Sequence, residues 1–403
     1  MPWPLRMTLY SFLLVIIPYG YVCWRLWRAL LVIFPAGGRL IHWLAPLLMI
    51  ILNIWPLIIL FAYFSKQLDS LFLFKSYLTS WDYLILYPFW FGLIIIVETF
   101  FYYIGIDILQ LLINLLARNF KDTLIKLLAA GKIILLILMA IYIVFRSYRD
   151  TNSIHLNKFS IKLEKKLPGL DHLDLQLVGD IQVDRYTGQE KLKLVQQQMD
   201  PHRPDILFFA GDLVTGGQGF TAEGVDFMCN RQANMERIAC MGDHDLWSDA
   251  GAISQGLKNC GWKFIQNSHY TIEHHGFKIV VTVITHVYSQ RIGKYELDLL
   301  LSNKPAGDIY ILLVHQPADE IVRSAAAHGY DIFLAGHTHG GQVVFRPFGL
   351  HLTPSQFENP LYSGYKKVGN LNVFVSIGIG LTMMPLRYHA PAEVMQIRVG
   401  PGI

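Results

Sequence analysis

Cysteine and charge are both scarce in this chain of 403 residues. It has 4 cysteines and no CxxC pair. Three of them (Cys229, Cys240 and Cys260) lie in the second half, and this odd number predicts neither a disulfide framework nor a zinc motif. The redox compartment is therefore left open. Only 16% of residues are charged while 53% are hydrophobic, a balance that indicates membrane-embedded segments rather than a wholly soluble protein.

The little charge that is present is unevenly distributed. Residues 1–150 hold 12 of the 34 Lys and Arg and 6 of the 30 Asp and Glu, a net +6. The remainder has 22 basic and 24 acidic residues, a net −2, which disfavours a nucleic-acid partner. Histidine is distributed the other way, since only His42 precedes residue 150 and 14 others follow it. We therefore expect metal or acid–base chemistry in the second half.

Four apolar runs dominate residues 1–150, at about 8–24, 41–64, 83–105 and 127–146. A helix needs ~20 apolar residues to cross a bilayer. Buried helices of a soluble protein would also be apolar, but four such runs in 150 residues disfavour that interpretation. The first run is followed by Arg25 and Arg28 rather than by a signal-peptide cleavage site. The sequence predicts an α-helical, multi-pass transmembrane region of about four helices, with the lipid bilayer as its partner.

The membrane side follows from Lys and Arg in the short loops. Seven lie in the first and third loops between the runs, and five lie on the opposite face. This count favours an extracytoplasmic position for both termini and for the second half. The basic run Lys158, Lys162, Lys165 and Lys166 would reverse the count if it were included, so the side stays open.

Glu98 lies inside the third apolar run, where an ionised carboxylate is costly and is often functional. The alternative is a structural pair with Lys132, near the start of the fourth run. We favour the structural pair.

A polar, basic segment at about 151–170 ends with Pro168 and Gly169, and predicts a linker before a domain at 171–403. Short apolar runs then alternate with helical stretches. Strands are predicted at 173–178, 205–210, 238–241, 278–285, 308–314 and 331–334, and helices at 190–199 and 318–327. This alternation is typical of an α/β sheet.

Acidic and imidazole side chains follow five of these strands. The groups are Gly179-Asp180-Ile181-Gln182, Gly211-Asp212, Gly242-Asp243-His244-Asp245, His315 and Gly336-His337-Thr338-His339-Gly340-Gly341. Ligand-binding groups gather beyond the carboxyl ends of strands in open α/β sheets, so we expect these side chains to converge. The glycines would allow sharp turns and leave room for a bound anion. Clustered carboxylates repel one another, and divalent cations remove that conflict.

This ordered set resembles the calcineurin-like metallophosphoesterases, whose pattern is D-x-H, GD, GNH-D/E, H and GH-x-H. The later segments Leu361-Tyr362-Ser363-Gly364 and Pro385-Leu386-Arg387 resemble the membrane-tethered or exported bacterial branch. The resemblance covers about 172–400. It implies a four-layer αββα sandwich and a metallophosphoesterase, that is, a phosphoric ester hydrolase.

The resemblance also implies residue roles. One divalent ion would be held by Asp180, Gln182, Asp212 and His339, and a second by Asp212, Asp243, His315 and His337. A metal-bridging hydroxide would attack the phosphorus of a phosphate ester or pyrophosphate. His244 would stabilise the transition state or protonate the leaving oxygen, and Asp245 would orient His244.

Two positions depart from the family pattern. Gln182 stands where the family has His, and Asp243 stands where it has Asn. Both keep an oxygen donor, which shifts the preference toward Mn or Mg, although Fe and Zn stay open. The alternative is a catalytically degenerate phosphoesterase fold that serves as a regulatory or binding domain of a membrane protein. A tether to the bilayer favours a lipid-linked phosphorylated substrate by proximity.

Four further residues have less specific signals. Asp184, Tyr186 and Trp247 lie close in sequence to predicted ligands and would line the substrate cleft or, as the favoured alternative, be ordinary exposed loop residues. Arg387 would contact a phosphate or, as the favoured alternative, form a surface salt bridge.

Overall fold

The computed structural model describes residues 3–67, 75–116, 121–216 and 218–402. It divides into two compact units. The first, the helical unit, comprises Met1–Tyr148, Phe345–Leu352 and Met383–Pro385. The second, the α/β unit, comprises Arg149–Val344, Thr353–Thr382 and Leu386–Ile403. Two short segments from late in the chain therefore belong with the helices.

The helical unit is built from long apolar helices. They are α1 (Trp3–Ile33), α2 (Gly38–Leu52), α3 (Ile54–Phe64), α4 (Tyr87–Leu116) and α5 (Lys121–Asn152), with a π-helical turn at Asp82–Leu86 before α4. Four helical stretches of the described chain are long and apolar enough to cross a membrane: Leu5–Ile33, Pro35–Leu52, Asp82–Leu115 and Thr123–Asn152. They correspond to the four apolar runs of the sequence.

The second apolar run differs from its prediction, because its helix breaks at Asn53. The backbone there leaves helical geometry, with φ −112° and ψ 19°. The Asn53 side chain donates to the Met49 carbonyl at 2.8 Å, and such local bonds compete with the helical ladder. Residues 54–64 consequently form a separate helix of 11 residues, which is shorter than a membrane span.

Glu98 and Lys132 each have a partner that the sequence did not indicate. The Lys132 ammonium lies 2.5 Å from the Asp107 carboxylate. Glu98 is buried and accepts the backbone N–H of Arg346 at 2.8 Å, within the helical unit. The predicted pair fails because Lys132 is level with residues 103–107 of α4 rather than with Glu98: the Tyr103 hydroxyl donates to the Lys132 carbonyl at 2.8 Å, and the Lys132 ammonium contacts Asp107. Asp107 lies about 13 Å further along α4 than Glu98, at ~1.5 Å per residue.

The α/β unit contains twelve strands and seven α-helices among its described residues. The strands are β1 (Ile154–Lys162), β2 (Leu173–Val178), β3 (Ile206–Phe209), β4 (Glu236–Ala239), β5 (Lys263–Phe264), β6 (Ser268–His274), β7 (Phe277–Ile284), β8 (Ile309–Val314), β9 (Ile332–Ala335), β10 (Gly364–Val368), β11 (Leu371–Val375) and β12 (Ala392–Gly400). The helices are α6 (Gln189–Met199), α7 (Thr221–Cys229), α8 (Asp243–Ser248), α9 (Ala250–Asn259), α10 (Lys294–Ser302), α11 (Asp319–Ala327) and α12 (Ser355–Glu358). The six predicted strands and two predicted helices are all present, within two residues at each end.

The strands form two sheets that pack face to face. Their orders are β1-β12-β2-β3-β4-β5 and β10-β11-β9-β8-β7-β6. Alternate apolar residues of both sheets, such as Leu177, Phe208 and Leu313, fill the core between them. The opposite face of the first sheet, including Val178, packs against α6, α7 and α9, while α10 and α11 cover the second. The predicted αββα sandwich is confirmed.

Residues 154–162 correct the predicted linker, because they form strand β1. It pairs in parallel with β12, from Ile154 opposite Ala392 to Lys162 opposite Gly400. Its lysines suit an edge strand, where charge discourages pairing with other chains. The sequence does not predict β1 because its partner strand lies more than 200 residues later, and because its basic residues resemble those of a linker.

The structure contains a disulfide, a point that the cysteine count left open. A disulfide joins Cys229 to Cys260, with Cα atoms 5.5 Å apart and 31 residues of separation. It links the ends of α7 and α9, while Cys240 is free and buried. The three cysteines of the second half therefore form one disulfide and leave one free thiol. In the chain-entropy account, a disulfide that closes a loop of this length stabilises the folded state by roughly 3–4 kcal/mol.

Candidate metal centre

The predicted ligands lie just beyond the carboxyl ends of five central strands. Asp180 and Gln182 follow β2, Asp212 follows β3, Asp243 follows β4, His315 follows β8, and His337 and His339 follow β9. All are buried except His337, whose side chain is 13% exposed. The structure brings these side chains together in one cluster, as the strand-end pattern predicted. Their roles as ligands stay a prediction.

The backbone at this cluster is strained. Five of the seven predicted ligands have the left-handed conformation, with φ of 50° at Asp180, 51° at Gln182, 61° at Asp212, 72° at His337 and 51° at His339. Each such residue costs on the order of 1–3 kcal/mol and persists only when its surroundings enforce it. Strain of this kind gathers at functional sites, and here it aims the side chains inward.

Two glycines make the close approach of the carboxylates feasible. A Cβ on Gly242 would lie 2.1 Å from an Asp212 carboxylate oxygen. A Cβ on Gly336 would lie 2.4 Å from an Asp180 carboxylate oxygen. Both distances are shorter than any tolerable contact. These glycines were expected to leave room for a bound anion, but the space beside them is occupied by neighbouring carboxylates.

One part of the cluster, which we term the open group, consists of Asp243, His315 and His337. A donor atom from each lies within 4.8 Å of the others. An Asp243 carboxylate oxygen is 3.4 Å from His315 Nε2 and 3.0 Å from His337 Nδ1. Metal–ligand bonds are ~2.0–2.3 Å, so donor atoms at these separations can share a single ion.

The other part, the closed group, consists of Asp180, Gln182, Asp212 and His339. His339 Nε2 lies 3.6 Å from an Asp180 oxygen. Asp180 and Asp212 also have donor atoms within 4.8 Å of one on His315. His315 Nε2 is 3.5 Å from Asp212, so His315 and Asp212 connect the two groups. His315 is the residue common to both sets of neighbouring donor atoms, while the role of Asp212 as a shared ligand stays a prediction.

Gln182 provides a direct test of whether the cluster fits a cation. Its Nε2 donates to Asp212 at 2.8 Å, while its Oε1 is buried without a hydrogen-bond partner. An unsatisfied buried oxygen of this type costs about 1–3 kcal/mol. A divalent cation would satisfy it, because amide oxygens are ligands for Mn and Mg. The glutamine at the family's histidine position therefore fits a metal ligand.

The titration behaviour of the cluster reflects its crowded charges. Burial raises the pKa of Asp180 to about 7. Burial opposes ionisation of Asp212 as well, but the charges of His315 and His244 lower its pKa to about 2. Burial would lower the pKa of His337, yet bonds to Asp243 and Glu358 raise it to about 9. Protons thus supply positive charge that cations would otherwise provide.

His339 differs from the other imidazoles. Burial, followed by the nearby Arg387 charge, holds the pKa of His339 well below its ordinary value. It is therefore neutral at pH 7, the form in which imidazole binds metals. By contrast, the carboxylates of Asp212, Asp243 and Asp180 overcome burial and raise the pKa of His315 well above its ordinary value.

Outer hydrogen bonds fix the orientation of the ligands. His315 Nδ1 lies 2.7 Å from the Ala210 carbonyl oxygen, which leaves Nε2 to face the cluster. Gln316 Nε2 donates to Asp243 at 2.8 Å. Asp243 also accepts the backbone N–H of Tyr288 at 2.6 Å. Such partners set ligand geometry and basicity in metal sites. Gln316 and Tyr288 had no sequence signal, because their roles depend on distant contacts.

Arg387 has neither of the two roles considered for it. It is fully buried and donates to the carbonyls of Gly380 at 2.8 Å and Ala390 at 3.0 Å. Its Nη2 also lies 3.4 Å from His339 Nδ1. Arg387 therefore supports the His339 ring and the surrounding loops. This role could not be predicted from the sequence, since the hydrogen-bond partners of Arg387 are mainly backbone atoms.

His244 lies at the edge of the cluster, and its catalytic role stays a prediction. The backbone N–H of His244 donates to an Asp212 carboxylate oxygen at 2.8 Å, and the ring atom Nδ1 lies 2.5 Å from the Thr215 carbonyl oxygen. The Trp247 ring, 46% exposed, has its centroid 4.9 Å from that of His244. Trp247 is therefore beside the cluster, and a role in lining the cleft stays a prediction.

The role predicted for Asp245 changes in the structure. Its carboxylate accepts the backbone N–H groups of Asp212 at 2.9 Å, Leu213 at 2.7 Å and Gly242 at 3.0 Å. Both oxygens are thus used to brace the Asp212 loop rather than to orient His244. Asp184 behaves similarly, because it accepts bonds from Tyr186, Thr187 and Thr215. Its function is structural, and it does not line the cleft.

A polar cleft of about 300 Å³ opens beside His337. Side chains of both charges line it, among them His286, Arg291, Gln316, Asp319, Glu320 and Glu358. Tyr288 lies nearby, with its hydroxyl 3.3 Å from His337 Nε2 and hydrogen-bonded to Glu358. Sequence reasoning missed these residues, which follow no strand-end pattern. The cleft provides space for a small polar group next to the open group.

Comparisons with known proteins agree with this geometry. Residues 176–341 match the calcineurin-like phosphoesterase family model. The chain is 24% identical to the uncharacterized metallophosphoesterase YkuE of Bacillus subtilis, over 62% of this chain and 87% of that protein. An uncharacterized metallophosphoesterase of Aquifex aeolicus is 24% identical over 63% of this chain and 94% of its own length. A Danio rerio transmembrane protein with a metallophosphoesterase domain is 25% identical over 59% of this chain and 55% of that protein.

The sandwich, the order of the strand-end side chains and these relatives lead to one family. Residues 176–341 of the α/β unit are a calcineurin-like phosphoesterase domain, and the relatives named as metallophosphoesterases indicate a phosphoric ester hydrolase, in a chain that also carries helices able to cross a membrane.

Proposed function

We propose that this protein is a multi-pass membrane enzyme that uses two divalent ions to hydrolyse a phosphate ester or pyrophosphate, with a lipid-linked substrate preferred. The observation that carries the proposal is the single buried cluster of three aspartates, three histidines and Gln182 at the strand ends. Unpaired carboxylates at such separations are costly, and cations relieve the cost.

The closed group and His315-containing open group would each hold one ion, with Asp212 shared between them. When bound, the ions would supply Lewis-acid charge and lower the pKa of a coordinated water. Gln182 and Asp243 add oxygen donors where the family has His and Asn, so Mn or Mg suits the site best. Zn and Fe are the ions against which this preference is tested.

His244 is the proposed proton donor to the leaving oxygen. Because the Thr215 carbonyl can only accept a hydrogen bond, His244 Nδ1 carries a proton. The opposite nitrogen is then the atom able to give or take a proton. The cleft beside His337 would hold the polar leaving group or headgroup.

The proposed side of the membrane is the extracytoplasmic one. The Cys229–Cys260 disulfide supports it, because such bonds persist in oxidising compartments and are rare in the cytosol. The loop count of seven basic residues against five points the same way. A bilayer tether raises the local concentration of membrane-borne substrates.

The activity test uses the purified full chain with Mn, Mg, Zn or Fe against mono-, di- and pyrophosphate esters. We expect hydrolysis with at least one ion and more than a 10²-fold loss in Asp212→Asn, beyond the roughly 10–100-fold typical of outer-partner changes. Asp171→Asn is the matched control, since Asp171 is highly exposed and should retain full activity. A folded protein that binds no metal would instead indicate a degenerate binding domain.

Two further measurements test the finer claims. A lipid phosphate in mixed micelles should be hydrolysed faster than a soluble aryl phosphate, and equal rates would remove the lipid preference. On intact cells, an impermeant thiol reagent should label Cys229 and Cys260 only after impermeant reductant is added. Labelling that requires cell lysis would place the domain in the cytoplasm.

A further inference from the structure

The helical unit contains a large apolar groove between α1, α2, α4 and α5. Its volume is about 880 Å³, within the usual range of ligand pockets. Lining side chains include Cys23, Trp24, Trp27, Leu48 and Leu136, and Gly92 forms part of the wall. All of these residues lie in the helical stretches that are apolar enough to cross a membrane. Only a hydrocarbon chain or another apolar segment would fill such a groove.

One end of the same helices is strongly basic. The described segments 25–39, 107–116 and 121–132 together carry six Lys and Arg but only two acidic residues. They comprise the second part of α1, the start of α2, the last part of α4 and the first part of α5. This imbalance at one end of the bundle favours an anionic headgroup.

The described contacts show how the charge is arranged. Arg25 and Lys132 both contact Asp107, as does the Tyr21 hydroxyl, so one carboxylate faces two cations. Arg25 Nε is buried and has no hydrogen-bond partner. Asp107 therefore neutralises only one of the two positive charges, and the Arg25 Nε–H donor has no acceptor.

Trp24 connects the charged end to the groove. It lines the groove, and the guanidinium carbons of Arg25 and Arg28 lie 5.2 Å and 4.7 Å from its ring centroid. Arg28 is on the same face of α1 as Arg25, three residues away. The two arginines thus contact a side chain that lines the groove, an arrangement that complements a phosphate attached to hydrocarbon.

We propose that this groove binds one anionic phospholipid, with its phosphate against Arg25 and Arg28 and its acyl chains along the apolar wall. The charge excess selects an anionic lipid over a neutral one. The site is separate from the residues proposed for hydrolysis and does not depend on them.

The test uses the full-length protein, purified in nonionic detergent and stripped of lipid, with bound lipid counted by native mass spectrometry. We expect one phosphatidylglycerol per chain at low lipid concentration, and little diacylglycerol or inorganic phosphate. Arg28→Gln should weaken phosphatidylglycerol binding about fivefold, as expected for one basic residue near a lipid phosphate. Arg6→Gln, at the opposite end of α1, is the charge-matched control and should bind normally.

A second pair of variants tests the apolar wall. A Cβ on Gly92 meets only ordinary contacts, the nearest being Tyr19 Oη at 3.6 Å, so Gly92→Ala should bind lipid normally. Gly92→Phe should fill the groove and abolish stoichiometric binding. If Arg28→Gln lowers the thermal stability, Arg28→Lys keeps the charge and should keep the lipid. Equal binding of diacylglycerol and phosphatidylglycerol, or equal binding by Arg28→Gln and Arg6→Gln, would overturn the proposal.

Discussion

The open and closed groups of the candidate metal centre contain similar donor side chains but differ in backbone conformation and exposure. In the closed group all four residues, Asp180, Gln182, Asp212 and His339, have left-handed backbone and are buried. In the open group only His337 has that conformation, and its side chain borders the cleft. The closed group is thus held in place by the fold, while the open group borders the cleft where a substrate would enter.

The largest effect is expected from His315, which lies within reach of both groups. His315→Ala should reduce the metal content of both groups and lower hydrolysis by more than about 10²-fold. Elemental analysis and initial rates measure the two effects. His172→Ala, a change at a half-exposed surface histidine, serves as the control. Loss of only one ion with activity retained would show that the groups are independent.

Partial chelation should separate the two groups next. Because His337 borders the cleft and the closed group is buried, limited chelator treatment is expected to remove the ion of the open group first. The product should hold about one ion per chain and be almost inactive, with activity restored by added metal. Metal content and rate are measured along the same time course. Full activity with one ion remaining would contradict this order.

The pH dependence of metal binding gives a smaller contrast. Without metal, the pKa of His337 is raised to about 9, so below that pH an incoming ion must displace its proton. His315 belongs to the same group and its pKa is also raised, so affinity at the open group should rise as the pH increases from 7 to 9, by about tenfold per unit for each histidine proton that the ion displaces. The closed group has neutral His339, and its Asp180 has a pKa of about 7, so its affinity should level off above pH 7. Calorimetric titrations in several buffers measure this, and identical profiles would count against the distinction.

The smallest effects concern metal selectivity. Gln182→His should raise affinity for Zn relative to Mn in the closed group, by about tenfold, because imidazole is the softer ligand. Asp243→Asn should weaken ion binding in the open group, because it removes a negative charge. Competition between Zn and Mn, measured on each variant, tests both. A Gln182→His protein with unchanged selectivity would show that residue 182 does not ligate.

The sequence predicted the centre because its information is local. A glycine and a polar residue directly after each strand mark the positions, and parallel strands bring their carboxyl ends to one edge. Asp180, Asp212 and His315 could therefore be assigned to one site before any contact was known. The same reasoning correctly predicted the two-sheet sandwich from the resemblance and the strand alternation.

What the sequence could not predict depends on distant partners. The edge position of β1 requires β12, and the burial of Arg387 requires carbonyls of surrounding loops. Asp245 was assigned to its neighbour His244, but its oxygens accept N–H groups from a loop about 30 residues earlier. The Glu98–Lys132 pair failed for a similar reason, since the register between two helices decides which charges meet.

The left-handed backbone at the ligands has a consequence for engineering this protein. Glycine adopts that conformation without the penalty that other residues incur, so replacing a ligand by glycine would relax local strain while removing a donor. Selection for heat resistance alone would then favour inactive molecules. Any search for robust variants of this hydrolase should therefore screen turnover alongside thermal tolerance, and should leave the positions after β2, β3 and β9 untouched.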